Sequence, residues 1–190
     1  MSRKIIIYDD FYKDPDYIRF LAKENISLPL VCSDFNELAA SITGAIINSI
    51  STNHGCFQLN NKSPEVEKIT FNTENKWTCL LFLTENCSNK QSNGVTFWKN
   101  KNSEYAGSKS VEDTVNASDI INGYVNKTQK TQIEIDKKQW NKDVFIPGKY
   151  NRAVFFRSEL FHSISKGFGK NFENGQLIQT FAFGDNNESN

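Results

Sequence analysis

The feature that most constrains the fold is a change of pattern at Gly55, where helix-type spacing gives way to strand-type runs. Before Gly55, apolar residues recur at intervals of three and four, which is typical of amphipathic helices. After it, short runs rich in Val, Ile, Phe and Thr are separated by polar segments, which is typical of β-strands. Helices followed by many strands predict an α+β, mainly β protein whose strands form a sandwich or barrel with helices on one side.

The segment before Gly55 predicts one strand and two helices. Ile5–Tyr8 is a short apolar run. Asp14-Pro15-Asp16 supplies an N-cap, a proline at the first helical position and an acidic first turn, which predicts a helix over Pro15–Asn25. Asp34, with a glutamate three residues later, predicts the start of a second helix that the apolar spacing extends to Ile50.

The chain as a whole predicts a single domain over residues 1–185, with a disordered tail at 186–190. Lys99–Asn141 is polar and lysine-rich and predicts a long excursion between strands, a lid or partner surface, with a helix around Ser118–Trp140. Seven runs predict strands, at Cys56–Leu59, Val66–Phe71, Thr78–Leu83, Val95–Trp98, Val144–Ile146, Arg152–Phe156 and Leu177–Phe183.

Charge and composition exclude several classes of partner. The chain has 22 Lys+Arg and 22 Asp+Glu, so it lacks the overall basic field that binds nucleic acid or an anionic membrane, although this balance leaves room for a local basic patch. The tryptophans at 77, 98 and 140 lie at strand spacing, which favours a core over a base-stacking platform. The four cysteines form no C-x-x-C pair, and no export signal or spanning segment is visible, so we expect a cytoplasmic protein with reduced thiols.

A series of segments in a fixed order carries a resemblance to a known family. In chain order these are Trp77–Asn86, Asn93–Trp98, Tyr150–Phe156, Leu160–Ser163 and Gly167–Gly169. The series resembles the iron(II)/2-oxoglutarate oxygenase superfamily, and within it the bacterial and phage group of the prolyl-hydroxylase-like branch. There a W-x-G-x-x-Y-L-T strand leads to G-G-T-x-F-W, and Y-N-R-L-V leads to L-F-H-S and F-G. The likeness covers most of the chain outside the excursion.

The resemblance implies a double-stranded β-helix (jelly roll) with two N-terminal helices packed on one sheet and a site between the sheets. Such oxygenases hold Fe(II) with a His-x-Asp pair and a distal histidine, leaving positions for 2-oxoglutarate and oxygen. The distal histidine corresponds to His162. The pair corresponds to Thr70 and Asn72 or, with a shift of one residue, to Phe71 and Thr73. Neither pair contains an imidazole or a carboxylate.

The resemblance also assigns residues around the co-substrate. The basic residue that holds the far carboxylate of 2-oxoglutarate corresponds to Gln176, whose neutral amide does not replace a guanidinium. Asn151 and Arg152 match the Y-N-R strand, where they brace the fold and support the pocket. Gln179 is a further pocket-supporting position on the same late strand as Gln176. The resemblance therefore implies a retained fold with most iron and co-substrate positions changed.

These changes favour a pseudo-oxygenase without a cofactor, which binds a small molecule, a peptide or a partner protein. Its sheet edges and the excursion allow a homodimer or a heterodimer. The alternative is an active hydroxylase of a peptide or small molecule that binds Fe(II) and 2-oxoglutarate through unorthodox ligands.

Other uses of the histidines stay open. His54-Gly55-Cys56 together with His162 offers an H-x-C…H metal set, and Glu74 offers a carboxylate beside His162. His162 is also a candidate general base in a metal-free enzyme, with Glu159 as the orienting acid. The competing interpretation is a hydrogen-bonded, partly buried histidine with a structural role.

Overall fold

The computed structural model describes residues 5–24, 26, 29–45, 47, 54–60, 68–72, 75–85, 93–101, 131–134 and 139–184. These residues form two helices and two antiparallel sheets, which confirms an α+β, mainly β fold. The helices are α1 (Pro15–Glu24) and α2 (Ser33–Thr43). The strands are β1 (Ile5–Tyr8), β2 (Cys56–Asn60), β3 (Lys68–Phe71), β4 (Trp77–Phe82), β5 (Gly94–Asn100), β6 (Thr131–Glu134), β7 (Trp140–Pro147), β8 (Arg152–Arg157), β9 (His162–Ile164) and β10 (Gln176–Phe183).

The chain moves back and forth between the two sheets. The first sheet has the strand order β1-β8-β4-β10-β2, and the second has the order β6-β3-β9-β5-β7. Successive strands from β2 to β5, and again from β7 to β10, therefore lie in alternate sheets. Neighbours within a sheet come from distant parts of the sequence, so side chains far apart in the chain meet between the sheets.

Burial divides the apolar side chains into three clusters, because alternate residues of a strand face opposite sides of a sheet. The inner cluster lies between the sheets, the helix-side cluster joins the first sheet to both helices, and the outer cluster covers the far side of the second sheet. The inner cluster is Leu80, Phe82, Val95, Phe97, Ile146, Val154, Phe156, Leu160 and Ile178. The helix-side cluster includes Phe11, Ile18, Ala22, Phe35, Trp77, Cys79, Leu81, Ala153, Phe155, Leu177, Phe181 and Phe183. The outer cluster is Ile69, Phe71, Trp98, Trp140 and Phe161.

Helix α1 matches its sequence signals, whereas α2 is shorter than its apolar spacing predicts. An oxygen of Asp14 accepts the backbone N–H of Tyr17 at 3.0 Å, as expected of an N-cap. The prediction that α2 starts with an Asp34 cap is wrong, because the helix already includes Ser33. It ends at Thr43, where Gly44 adopts a left-handed φ of 69° and donates its N–H to the carbonyl of Ala40. The predicted extension to Ile50 is therefore wrong, because the helix ends before Gly44.

The predicted helix over Ser118–Trp140 is wrong wherever the structure describes that segment. Thr131–Glu134 is strand β6, which pairs with β3 with Ile133 opposite Ile69, and Trp140 begins β7. Cross-strand hydrogen bonding here prevails over local helix propensity. The rest of the segment lies outside the described residues, as does the predicted tail at 186–190.

Three further predictions concern membrane-spanning segments, the cysteines and the tryptophans. No helix among the described residues combines the length and the apolar character needed to cross a membrane. Cys32, Cys56 and Cys79 form no disulfide among the described residues, and Cys87 lies outside them. The three tryptophans are buried in the clusters above and form no stacking platform.

Candidate functional site

The His162 side chain lies in the space between the two sheets. His162 is buried and is the first residue of β9. The centroid of its ring is 4.6 Å from that of Phe156 and 6.4 Å from that of Phe97. Both phenylalanines belong to the inner cluster, one from each sheet. The histidine is therefore held by aromatic side chains from both layers of the fold.

One hydrogen bond sets the tautomer of neutral His162. Its Nδ1 is 2.8 Å from the carbonyl oxygen of Leu160. Because a carbonyl can only accept, Nδ1 carries the proton and the lone pair of the neutral ring is on Nε2. Metal-binding histidines commonly show this arrangement, as do histidines that accept a hydrogen bond. The orienting group for Nδ1 is thus a backbone carbonyl, whereas the general-base hypothesis expected the carboxylate of Glu159.

Strand register brings Thr70 to His162 and directs Phe71 to the other side. Thr70 is directly opposite His162 in the β3–β9 pairing. The ring of Phe71 packs against Phe161 in the outer cluster, with their centroids 5.2 Å apart. Of the two alignments that the resemblance leaves open, Thr70 with Asn72 is the one on the His162 side. Thr73 and Glu74 lie outside the described residues.

Hydroxyl and amide groups surround this end of the interior. The N–H of Asn72 donates to the carbonyl of Ser158 across the sheets at 2.8 Å. The hydroxyl oxygens of Ser158 and Thr78 are 2.7 Å apart, and both residues are buried. Thr78 is paired with Phe156, so its side chain shares the inner face of the first sheet. Sequence reasoning missed Thr78 and Ser158, because strand pairing between distant segments places them here.

The described residues do not fit an Fe(II) centre of the kind that the resemblance implies. Such a centre needs imidazole and carboxylate donors, and the positions beside His162 hold a hydroxyl at Thr70 and an amide at Asn72. No group of three His, Cys, Asp or Glu side chains with metal-binding geometry occurs within the described part of the chain. What this region offers is one imidazole, neutral hydrogen-bonding groups and the faces of two phenylalanines.

The structure does not bring Gln176 to His162. Gln176 is fully buried at the start of β10, where its Nε2 donates to Oδ1 of Asn93 at 2.8 Å and its Oε1 accepts from Asn60 at 3.2 Å. Asn93 precedes Phe97 by four residues, and Phe97 pairs with His162. That separation is about 13 Å along the strand. The Gln176 amide therefore belongs to an amide network away from the histidine.

His54 and His162 lie on opposite faces of the first sheet. His54 is buried in the helix-side cluster, with ring centroids 5.4 Å from Phe35 and 5.1 Å from Phe181. Its Nδ1 is 3.1 Å from the carbonyl oxygen of Ala182, and its Nε2 has no hydrogen-bond partner within the described part of the chain. Burial lowers the pKa of His54 below 6.5 and keeps the ring neutral. The H-x-C…H metal set with His162 is therefore not assembled.

Asn151 and Arg152 join the β7–β8 turn to the N-terminal segment. Asn151 adopts a positive φ of 60°, and its amide accepts from the N–H of Tyr12 at 2.9 Å and donates to the carbonyl of Tyr12 at 2.8 Å. Arg152 holds both oxygens of Asp9, at 2.6 and 3.0 Å, and donates to the carbonyl of Pro147 at 2.8 Å. These bonds brace the turn against the N-terminal segment. They lie at the opposite end of β8 from Phe156.

Gln179 crosslinks the helix side of the first sheet. Its Nε2 donates to the carbonyls of Leu30 at 2.7 Å and Gly55 at 3.2 Å. Its Oε1 accepts from the hydroxyl of Tyr12 at 2.9 Å. Gln179 is paired with Leu81 of the helix-side cluster, so its side chain faces away from His162. Its support for the site is indirect, through the packing of the first sheet.

Comparison with known proteins adds no assignment to this geometry. A scan against models of protein families and a search of the curated proteins both find no match. The resemblance to oxygenases therefore rests on the ordered motifs and stays a prediction.

Proposed function

We propose that this protein is a pseudo-oxygenase, a jelly-roll domain that binds a small molecule, a peptide or a partner protein without Fe(II) and 2-oxoglutarate. The pairing of its strands supports the jelly-roll part of the proposal. In the set β2–β5 and β7–β10, the first strand pairs with the last and each following pair is nested inside, down to β5 with β7. Nested antiparallel pairs are expected when one long ribbon coils into two sheets.

The observation that carries the functional part is the pairing of Thr70 with His162. The position from which an oxygenase of this superfamily would present its first iron ligand holds a hydroxyl, while His162, which corresponds to the distal histidine, packs against Phe97 and Phe156. A hydroxyl and an imidazole suit a ligand that donates and accepts hydrogen bonds. Phe97 and Phe156 make the interior beside the imidazole apolar, which suits a ligand that also has an apolar part.

An active hydroxylase is the second candidate, and the tautomer of His162 favours it. With its proton on Nδ1, the imidazole has the form in which Nε2 binds a metal. A carboxylate would then have to come from a position such as Glu74, outside the described residues.

An anaerobic titration of metal-free protein with Fe(II) and then 2-oxoglutarate separates the two candidates. The pseudo-oxygenase proposal expects neither stoichiometric binding nor the charge-transfer band of chelated 2-oxoglutarate. One-to-one binding with that band, lost in His162→Ala, would overturn it and support the hydroxylase.

A thermal-shift screen of small polar compounds then tests for a ligand. A compound that binds near His162 should lose affinity in Thr70→Val. It should keep its affinity in Thr96→Val, because Thr96 is paired with Ser163 on the opposite face of the second sheet. Equal loss in both variants would place the ligand elsewhere and contradict the proposed site.

A further inference from the structure

Helix α1 has a second apolar surface that the described part of the chain leaves exposed. Ile18 and Ala22 are buried against the first sheet, as expected of the apolar face of a surface helix. Tyr17 and Phe20 are nevertheless 55% and 58% exposed. Residues three apart lie side by side on a helix, so the two rings form one aromatic patch on the solvent side.

Charges of opposite sign, Lys13 and Glu24, lie at the two ends of this patch. Lys13 directly precedes the cap residue Asp14, and Glu24 is the last residue of α1. Both are exposed, and neither takes part in an ion pair within the described part of the chain. The basic residues within α1 do so: Arg19 pairs with Glu85, and Lys23 pairs with Glu173.

We propose that α1 is a dimerisation helix that packs antiparallel against α1 of a second copy of this chain. Consider a two-fold axis that is perpendicular to α1 and level with the midpoint between Ile18 and Arg19. This axis brings Tyr17 of each copy to Phe20 of the other. The same axis brings Lys13 of each copy to Glu24 of the other, because both pairs are centred on the same point of the sequence. A two-fold interface requires a self-complementary surface, and the order basic, aromatic, aromatic, acidic provides one.

The size of the patch predicts a weak dimer. Four half-exposed rings contribute about 400 Å² of surface, whereas a stable interface buries about 1,200–2,000 Å². Self-association should therefore depend on concentration in the micromolar range or above.

Sedimentation velocity from about 1 µM to about 1 mM tests the proposal on the full chain. The wild-type protein should shift from monomer to dimer across this range. Phe20→Glu should weaken the dimer about tenfold or more, since it buries charge in the contact. Phe145→Ser removes a phenylalanine ring that is 40% exposed on β7 and should leave the dimer unchanged. A wild-type protein that stays monomeric, or a dimer indifferent to Phe20→Glu, would overturn the proposal.

Charge reversal tests the antiparallel arrangement itself. Lys13→Glu alone and Glu24→Lys alone should each weaken the dimer several-fold, because each places like charges together twice. The double variant Lys13→Glu/Glu24→Lys restores both pairs and should return the dimerisation constant to the wild-type value. Failure of this restoration, with circular dichroism showing folded protein, would overturn the arrangement.

Discussion

Thr70 and His162 face each other across β3 and β9, with both side chains on the inner side of the second sheet. This pairing sets the chemistry of the site, because the residue on β3 directly opposite the imidazole supplies a hydroxyl. The neighbouring Phe71 is directed into the outer cluster, so a shift of one residue would exchange these two positions.

Thr70→His/Asn72→Asp should create a metal site. The two substitutions add an imidazole and a carboxylate beside His162, which completes three donors. Binding of Co(II) or Fe(II), measured by calorimetry, should tighten about tenfold or more over the wild type and be lost when His162→Ala is added. Phe71→His/Thr73→Asp is the matched control, because Phe71 faces the outer cluster. Equal gain in the control would contradict the register.

Asp9→Asn should lower the free energy of unfolding by about 1 kcal/mol near neutral pH, after allowance for solvent screening. The hydrogen bonds from Arg152, followed by that from Lys149, lower the pKa of Asp9 from 3.8 to about 2. A lowered folded-state pKa stabilises the fold above pH 3.8, and this contribution is lost as the pH falls toward 2. Urea unfolding at about pH 7, 4 and 3 should therefore show the two proteins converging. Asp10→Asn is the control, and an equal loss there would contradict the assignment.

His54→Phe should make stability less dependent on pH between about 7 and 5. Burial lowers the pKa of His54 in the folded state. The unfolded chain therefore takes up a proton first as the pH falls below about 6.5, and the wild type loses up to about 1.4 kcal/mol per pH unit. Phenylalanine does not titrate and suits the surrounding aromatic rings. Parallel stability profiles for the two proteins would show that His54 is not the titrating group.

Gln179→Leu should lower the free energy of unfolding by about 2–4 kcal/mol. The change leaves the hydroxyl of Tyr12 and the carbonyls of Leu30 and Gly55 without the partner that joins them. Gln58→Leu, at an exposed position on β2, should change it by less than about 0.5 kcal/mol. Chemical denaturation measures both. A small effect at Gln179 would mean that water replaces the amide.

Local signals in the sequence predicted the order of helices and strands correctly where their causes are local. Asp14 and Pro15 fix the start of α1, because a cap and a preset φ act within one turn. The apolar run in β4 predicts a strand from its own residues alone, and the strand is buried along its whole length. The predictions failed at Ile50 and over Thr131–Glu134, where a left-handed glycine and pairing with a distant strand decided the conformation.

The sequence by itself determined that this protein is mainly β with two helices on one side, because apolar periodicity records which faces are buried. It also determined which side chains are available, and hence that Thr70 and Asn72 bring no imidazole or carboxylate. Only the tertiary structure decided that Thr70, and not Phe71, faces His162, and that His54 lies on the far side of the first sheet. These facts depend on the register between strands distant in sequence, which no local pattern encodes.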